Sequence, residues 1–536
     1  MMLSQKIDRK NHPITIFSII LFIGTIIRIG LVSFSDFPLN DGGLFYSMVK
    51  DLVANHFHLP LFTSYNHNNI PFAYPALSLY FAGLLNYFGI DLLPIMRFFP
   101  LIFNILTIPA FYSLCSKLLR NQNEVLFATL TFAVLPPAYE WLIMGGGLTR
   151  SPAYLLSILA WNISFSFIKT DSKKDLFFTI ILAGLSGLCH IEICMITVIF
   201  ILLTFLYKDG FSKCIKYGVI FLCGVFLIMT PYFYSIIQSH GVAPLKAALF
   251  SGEFDQWKSI TRLLVGNISG EAFYTPLIII SLLGLGVCLQ KKDYLIPLFV
   301  LAVVIFNPRS MDRSLVFPMS FLSGIGFNEI IYPYFSKTKF QDTIYHLNEV
   351  NKKVRISMTW VGLILISYLI IRSAITSMAF LMIPGASLNH VSQDDRNAMF
   401  WVRDNTDKDE KFLILSKTTN WQTDYRSEWF PALADRKSIT TVQGSEWLQD
   451  RIFYHLQDIH EAASKCISSN LKCLENLNSK YNLNYSMVYL SGKLSSEDGN
   501  ITSYPIEMEM RASSDYQLVY ENDAVSIFNV LNSNVP

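Results

Sequence analysis

The stretch Asp36-Phe-Pro-Leu-Asn-Asp41-Gly-Gly-Leu-Phe-Tyr46 follows directly after the first long apolar segment, residues 14–34. It places two carboxylates where a membrane-spanning helix would leave the bilayer. Residues 42–56 then have the pattern of a helix that lies along the membrane surface. Asp41 stands at the start of this helix, where a carboxylate is also favoured simply as a helix cap. Capping and chemistry at the membrane boundary therefore both stay open for Asp41.

The composition is that of a membrane protein. Of the 536 residues, 52% are hydrophobic and only 15% are charged, whereas soluble proteins are about 25% charged. Apolar runs alternate with short charged connectors over residues 1–383, and residues 384–536 contain no long apolar run. We therefore expect a polytopic α-helical membrane domain over 1–383, followed by a soluble domain over 384–536.

Eleven segments are apolar enough to predict membrane spans. They are residues 14–34, 95–117, 124–143, 151–168, 175–188, 191–207, 215–236, 273–290, 294–306, 314–332 and 357–381. Residues 75–88 are too few for a span, and we predict that they form a second surface helix. The Lys/Arg-rich connectors then share one side of the membrane with the N-terminus, in agreement with the positive-inside rule. The chain is thus predicted to be a multi-pass plasma (inner) membrane protein with a cytoplasmic N-terminus and an extracytoplasmic soluble domain.

The unusual polar residues of the predicted membrane domain collect on its extracytoplasmic side. They are Asp36, Asp41, Arg150, His190, Glu192, Arg309 and Arg313. Arg150 ends the glycine-rich turn 145–150, whose backbone amides can approach an anion closely. Arg309 and Arg313 supply two guanidiniums, which bind phosphate oxygens in a bidentate manner. An acid, a glycine-rich turn and arginines on one surface indicate a site for a lipid-linked phosphate.

Each of these features also has a purely structural explanation. The three glycines can form a tight turn between helices, and Arg309 can pair locally with Asp312. A hydrogen bond between His190 and Glu192 would satisfy both side chains, which are otherwise costly at the end of a buried helix pair. Their convergence on one surface favours a shared functional role.

Residues 384–536 mix strand patterns with helical patterns. Apolar or alternating runs predict strands at Lys411–Ser416, Tyr485–Leu490, Gln517–Tyr520 and Ala524–Val530, and helices at Arg396–Arg403 and Glu446–Lys465. The region is therefore predicted to be a small α/β or α+β domain. Its aromatic segment 421–436 either packs in the core or stacks on sugar rings. Cys466 and Cys473 are the only cysteines of this region, and they can pair if it faces an oxidising compartment.

The chain resembles the integral-membrane glycosyltransferases of the GT-C superfamily, which include protein O-mannosyltransferases, aminoarabinose transferases and oligosaccharyltransferase catalytic subunits. The resemblance is carried by Asp41, the following helix GGLFYSMVKDLV, and the segments PFAYPALSLYFAGLLNYFG at 71–89 and PIMRFFPLIFNILTIPAFYSLCSKLL at 94–119. It implies two juxtamembrane helices in the first external loop. It also implies that Asp41 is the catalytic base and that Arg309 and Arg313 hold a donor phosphate. The remaining polar residues, Asp36, Arg150, His190 and Glu192, are candidate substrate-binding residues.

The reaction implied by the resemblance is transfer of a sugar from a polyprenyl-phosphate donor. The acceptor would be a lipid, glycan or protein, and a single displacement would invert the anomeric carbon. Many relatives carry a second acidic residue in the next external loop, where this chain has GGGLTR at 145–150. A divalent metal needs several oxygen ligands, so we favour a metal-independent mechanism and identify no cofactor. A divalent metal with Glu192 or His190 in place of the second acid stays open.

Two other readings stay open from the sequence. One is a transporter or polymerase of envelope lipids or polysaccharides, and the other is a member of the superfamily that keeps the scaffold without catalysis. Internal repeats and midplane polar groups, which transporters often have, are not clear in this sequence. The sequence has no nucleotide-binding loop, zinc-ligand spacing or basic nucleic-acid stripe, so the expected partners are membrane lipids and the two substrates, and no nucleic acid.

Overall fold

The computed structural model describes residues 12–251, 276–333, 366–376, 378–383, 386–449, 451–492, 494–495, 501–502 and 504–531. The segment between the predicted spans 314–332 and 357–381 lies outside the described residues, apart from residue 333. So do parts of the predicted spans 273–290 and 357–381 and most of the segment between the predicted spans 215–236 and 273–290 from residue 252 onward.

The first part of the chain is almost entirely helical. Its described helices are α1 (His12–Ser33), α2 (Gly43–Ala54), α3 (Leu77–Tyr87), α4 (Leu92–Leu118), α5 (Gln122–Val134), α6 (Gly147–Thr170), α7 (Lys173–Cys189), α8 (Ile191–His240), α9 (Ala243–Phe250), α10 (Pro276–Gln290), α11 (Leu295–Phe306) and α12 (Met311–Gly326). A π-helical turn, Phe327–Ile331, continues α12, and a further short apolar helix runs over Ile366–Met382, with residue 377 outside the description.

Within the described residues, five helices are long and apolar enough to cross a membrane. They are Pro13–Ser33, Leu92–Leu118, Gly147–Thr170, Ile191–His240 and Met311–Ile331. The pair Gln122–Val134 and Pro136–Leu142, bent by 83°, would make a sixth span. The chain is therefore a mostly helical, multi-pass membrane protein, and the number of eleven spans stays a prediction.

Helix α8 contains two of the predicted spans, 191–207 and 215–236, in one element of 50 residues. The helix is interrupted at Gly210, which has a φ of 78°. This left-handed conformation is one that glycine adopts without the steric penalty of a side chain. Gly210 is thus the point at which the chain can turn between the two predicted spans.

Two helices occupy the first long loop, residues 35–94 between the first two predicted spans, as the sequence predicts. Helices α2 and α3 match the predicted surface helices to within two residues at each end. Between them lies a small antiparallel pair of strands, β1 (Phe62–Thr63) and β2 (Ile70–Pro71). Helix α3 buries Leu79 and Ala82 and exposes Phe81 and Tyr87, and an apolar exposed face is typical of a helix at a membrane interface.

The residues from 386 onward, here called the C-terminal layer, form a mixed sheet covered by helices. The strands are β3 (Lys411–Leu415), β4 (Lys437–Ser438), β5 (Met487–Ser491), β6 (Leu494–Ser495), β7 (Ile501–Thr502), β8 (Tyr516–Glu521) and β9 (Val525–Val530). The sheet order is β4-β3-β5-β9-β8, in which β3 is parallel to β4 and β5 while β9 is antiparallel to both of its neighbours. Strands β6 and β7 form a separate pair.

The helices of the C-terminal layer are α13 (Gln393–Asn405), α14 (Tyr425–Ala434), α15 (Ile452–Cys466), α16 (Leu471–Tyr481) and α17 (Pro505–Ala512). The four strands predicted from the sequence are present. The helix predicted from residue 446 begins later, at Ile452, because Ser445–Trp447 form a separate 3-10 turn.

The C-terminal layer shares one hydrophobic core with the first long loop. Trp429 of α14 is fully buried, and its ring packs against Phe37 at a centroid distance of 4.7 Å. Met48, Ile70 and Phe430 belong to the same cluster of buried residues. Trp429 is therefore a core residue and does not serve as a sugar-stacking platform. Because the two parts of the chain share this core, the boundary between two domains at residue 383 stays a prediction.

Cys466 and Cys473 form a disulfide between α15 and α16. In the loop-entropy model, a bridge with a sequence separation of seven stabilises the folded state by about 2 kcal/mol. We expect replacement of both cysteines by serine to lower the midpoint of thermal unfolding in detergent, measured without reductant. Treatment of the wild-type protein with a reductant should lower the midpoint by a similar amount. Equal unfolding midpoints for the wild-type protein and the double serine variant would contradict a stabilising role of the disulfide.

Candidate active site

Asp41 lies in the turn between α1 and α2, and the residues directly before and after it both have positive φ angles. Asn40 before it has a φ of 44° and Gly42 after it has a φ of 135°. The carboxylate accepts a hydrogen bond from the backbone N–H of Gly146, at 2.9 Å, and forms an ion pair with Arg150. The two side chains are only 14% and 10% exposed, respectively. The structure thus brings together the acid, the glycine-rich turn and one of the predicted arginines.

The glycine-rich turn is required for this close approach. A Cβ atom on Gly145 would overlap the backbone oxygen of Asp41, and one on Gly146 would overlap both the Asp41 carboxylate and the Arg150 guanidinium. Gly146 is also the N-cap of α6, where free backbone N–H groups and the helix dipole favour a negative charge. The amide predicted to approach an external anion is therefore used by the protein's own carboxylate.

A cavity lies next to Arg150, between α6, α8 and α12. It contains about 560 Å³ of empty space, part of which is open to solvent. Its polar lining includes Arg150, His190, Glu192, Asn307, Ser310 and Arg313, and its apolar lining includes Ile158, Trp161, Ile196, Phe200 and Phe317. A cavity with cationic groups and an extensive apolar wall is suited to a ligand that joins an anion to an apolar chain.

Arg150 and Arg313 lie against the same aromatic ring. Their guanidinium carbons are 5.7 Å and 5.5 Å from the ring centroid of Trp141, within the range of a cation–π interaction. Arg150 also donates a hydrogen bond to the backbone oxygen of Trp141, at 2.8 Å, and Arg313 donates one to Ser310. Trp141 therefore holds two guanidiniums at the polar end of the cavity.

His190 and Glu192 line the same cavity. Among the described residues, Nδ1 of His190 and Oε1 of Glu192 have no hydrogen-bond partner although both atoms are shielded from solvent. Buried polar atoms without a partner are costly. Glu192 Oε1 and His190 Nδ1 are therefore positioned to receive polar groups of a ligand.

Two predicted site residues lie away from the cavity lining. Asp36 is 67% exposed and pairs with Arg396 of the C-terminal layer at 2.5 Å, and this guanidinium lowers the pKa of the Asp36 carboxyl. Arg309 is exposed. Burial raises the pKa of Glu446 in the C-terminal layer, and the positive charge of Arg309 opposes that rise. Asp36 therefore connects the membrane part to the C-terminal layer through its ion pair, while Arg309 acts on that layer through its charge alone.

The C-terminal layer also contributes a residue that was missed from the sequence, Glu428. Its Oε1 accepts a hydrogen bond from the backbone N–H of Gly42 at 2.7 Å, across a separation of 386 residues. Burial raises the pKa of Glu428 to about 8, and the negative charge of Asp41 adds to this rise. Glu428 lies in the segment 421–436, whose aromatic residues suggest core packing or sugar stacking. Nothing in the sequence of this segment indicates that its acidic residues reach Asp41.

The site does not fit a metal ion at Asp41. One carboxylate oxygen accepts the Gly146 N–H and the other pairs with Arg150. In the part of the chain that the structure describes, no three His, Cys, Asp or Glu side chains are grouped closely enough to hold a metal. The Arg150 guanidinium supplies the positive charge next to Asp41.

The fold is that of the GT-C glycosyltransferases, as the sequence resemblance predicts. The chain is similar to the oligosaccharyltransferase of Archaeoglobus fulgidus in its complex with Zn and sulfate, with a TM-score of 0.55 and 12% identity over 91% of this chain and 73% of that chain. The apo form of the same enzyme gives a TM-score of 0.54 and 13% identity over 90% and 70% of the two chains.

A weaker similarity is found to ArnT from Cupriavidus metallidurans bound to undecaprenyl phosphate, with a TM-score of 0.48 and 9% identity over 98% of this chain and 99% of that chain. No family model matches the sequence, and no curated protein matches it. At these identities the similarity to solved structures establishes the fold and leaves the chemistry to the site itself.

Proposed function

We propose that this protein is a membrane glycosyltransferase that transfers a sugar from a polyprenyl-phosphate donor to an acceptor on the extracytoplasmic side. One observation carries the proposal: Asp41 pairs with Arg150 at the end of a cavity that also contains Arg313 and has an extensive apolar lining. The A. fulgidus enzyme with the same fold is an oligosaccharyltransferase.

The donor phosphate is bound by Arg150 and Arg313. Both guanidiniums lie on Trp141, so one phosphate placed beside that ring can accept hydrogen bonds from both. The apolar lining formed by residues such as Ile196 and Phe200 accommodates the first part of the lipid chain. Arg309 contributes positive charge from the exposed rim.

The sugar lies near His190 and Glu192. A hydroxyl of the sugar donates to Oε1 of Glu192, which otherwise has no partner among the described residues. Such a hydrogen bond orients the sugar so that its anomeric carbon faces the acceptor. The specificity for one sugar over another then depends on which hydroxyls can reach these two side chains.

Asp41 is the base of the proposed reaction. An acceptor hydroxyl gives its proton to the Asp41 carboxylate as its oxygen attacks the anomeric carbon. The bond between that carbon and the phosphate oxygen breaks, and the electron pair leaves with the phosphate. Arg150 and Arg313 stabilise the charge that develops on the phosphate. A single displacement inverts the configuration of the anomeric carbon.

The proposed orientation places the N-terminus in the cytoplasm and the C-terminal domain, residues 384–536, outside the membrane. The disulfide between Cys466 and Cys473 supports this orientation, because disulfides persist mainly in oxidising compartments. The connection of Asp36 to Arg396 and of Gly42 to Glu428 supports an arrangement in which that domain covers the site.

The proposal is tested with the purified full chain in lipid vesicles. We expect incubation with a panel of polyprenyl-phosphate sugars and hydroxyl acceptors to release polyprenyl phosphate from at least one donor, together with a glycosylated product of inverted configuration. Chromatography of the lipid products measures release, and NMR of the product measures configuration. Movement of intact donor across the bilayer without cleavage would support a transporter, and no cleavage of any donor would contradict the proposed activity.

A further inference from the structure

Helix α14 holds the backbone on both sides of Asp41. Glu428 Oε1 accepts the N–H of Gly42 at 2.7 Å, and the neighbouring Trp429 donates its indole N–H to the backbone oxygen of Asn40 at 2.7 Å. Asn40 and Gly42 are the two residues with left-handed or otherwise unusual φ values that flank Asp41. Two consecutive residues of the C-terminal layer therefore fix the turn that presents the carboxylate.

The packing leaves no freedom at this contact. A Cβ atom on Gly43 would lie 2.6 Å from the backbone oxygen of Glu428, and Tyr65 donates its hydroxyl to that same oxygen at 2.6 Å. Glu428 and Trp429 are 4% and 0% exposed. Helix α14 is thus held in place from the side of the first long loop as well.

A glutamate costs more free energy at this contact than a glutamine would. A neutral glutamine would accept the same N–H, whereas the buried Glu428 lies close to a second carboxylate, Asp41. Both carboxylates interact electrostatically with Arg150. Like charges that share a site raise the cost of ionising both. Ionisation of Glu428 therefore adds a second negative charge beside Asp41 and Arg150.

We propose that Glu428 is a positioning residue for Asp41, through which the C-terminal layer controls the placement of the base and its pairing with Arg150. The effect on sugar transfer depends on the proposed function. The effect on the turn around Asp41 does not depend on it and can be measured separately.

The charged and titratable groups that face Glu428 are Asp41 of the first loop, Arg150 of α6, Glu446 of the 3-10 turn and Tyr65. With Glu428 protonated, Arg150 pairs with Asp41 alone. When Glu428 ionises, with a pKa of about 8 because of burial and of Asp41, a second carboxylate competes for Arg150. We therefore expect kcat to fall as the pH rises through about 8.

The test uses Glu428→Gln, Glu428→Ala and, as a matched control, Glu461→Ala, which removes an exposed glutamate of the same layer. Glu428→Gln keeps an acceptor for the Gly42 N–H, so its kcat at pH 6.5 should stay within threefold of wild type, and the fall of kcat near pH 8 should disappear. Glu428→Ala should lower kcat about tenfold or more with little change in KM. The control should match wild type throughout.

Hydrogen exchange of the peptide 37–46 gives a readout without catalysis. Exchange should increase in Glu428→Ala and stay near wild type in Glu428→Gln and in the control. If no donor is cleaved by the wild-type protein, the proposed function fails and this exchange experiment alone decides the positioning role. If Glu428→Ala does not fold, the pH profile of Glu428→Gln decides it. The proposal is overturned if the folded Glu428 variants have the same kcat, the same pH profile and the same hydrogen exchange as the wild-type protein.

Discussion

Replacement of Asp41 by asparagine is expected to lower kcat for sugar transfer by about 100- to 10,000-fold, the range typical of a lost general base. Asparagine keeps the size of the side chain and can still accept the Gly146 N–H, but it cannot take a proton from the acceptor. Because the change also frees Arg150 from its ion pair, binding of the donor phosphate should be at least as tight as in wild type. The measurement is release of polyprenyl phosphate together with donor binding by titration.

The matched control is Asp91→Asn, which changes an exposed carboxyl at the end of the same loop. It should transfer sugar at the wild-type rate. A folded Asp41→Asn protein with undiminished kcat would reject Asp41 as the base. Loss of donor binding with unchanged kcat at saturation would instead assign Asp41 to substrate binding.

The helices of the first loop could be predicted because their signals are local. The residue pattern of 42–56 and the short apolar run 75–88 predict helices there, and the charge balance of the connectors favours a surface position over a span for the second. The same charge balance predicts that Asp41, Arg150 and Arg313 lie on one side of the membrane. Their actual proximity depends on how the helices pack.

The contacts that fix Asp41 could not be predicted in the same way. The hydrogen bond between Gly42 and Glu428 joins residues 386 positions apart, and a single sequence carries no local signal for such a pair. The glycines of 145–147 indicate close backbone approach, but the pattern does not tell whether the anion is a ligand or a side chain. Here it is Asp41.

Replacement of Arg150 by methionine is expected to lower the free energy of unfolding by about 3–5 kcal/mol, the cost of removing one partner of a buried ion pair. The substitution leaves the Asp41 carboxylate, 14% exposed, without its cation, and it also removes the hydrogen bond to the backbone oxygen of Trp141. Methionine retains much of the apolar length of arginine, so packing changes little. The midpoint of unfolding in detergent by heat or denaturant measures the loss.

Two comparisons separate the ion pair from the other contacts of Arg150. Arg120→Met breaks an exposed pair with Asp293, in which the arginine side chain is 73% exposed, and should cost less than about 1 kcal/mol. The double variant Asp41→Asn, Arg150→Met should be more stable than the sum of the single losses predicts, because neither charge is then left unpaired. If the two losses simply add, the side chains do not interact, and the geometry on which the proposed base depends is wrong.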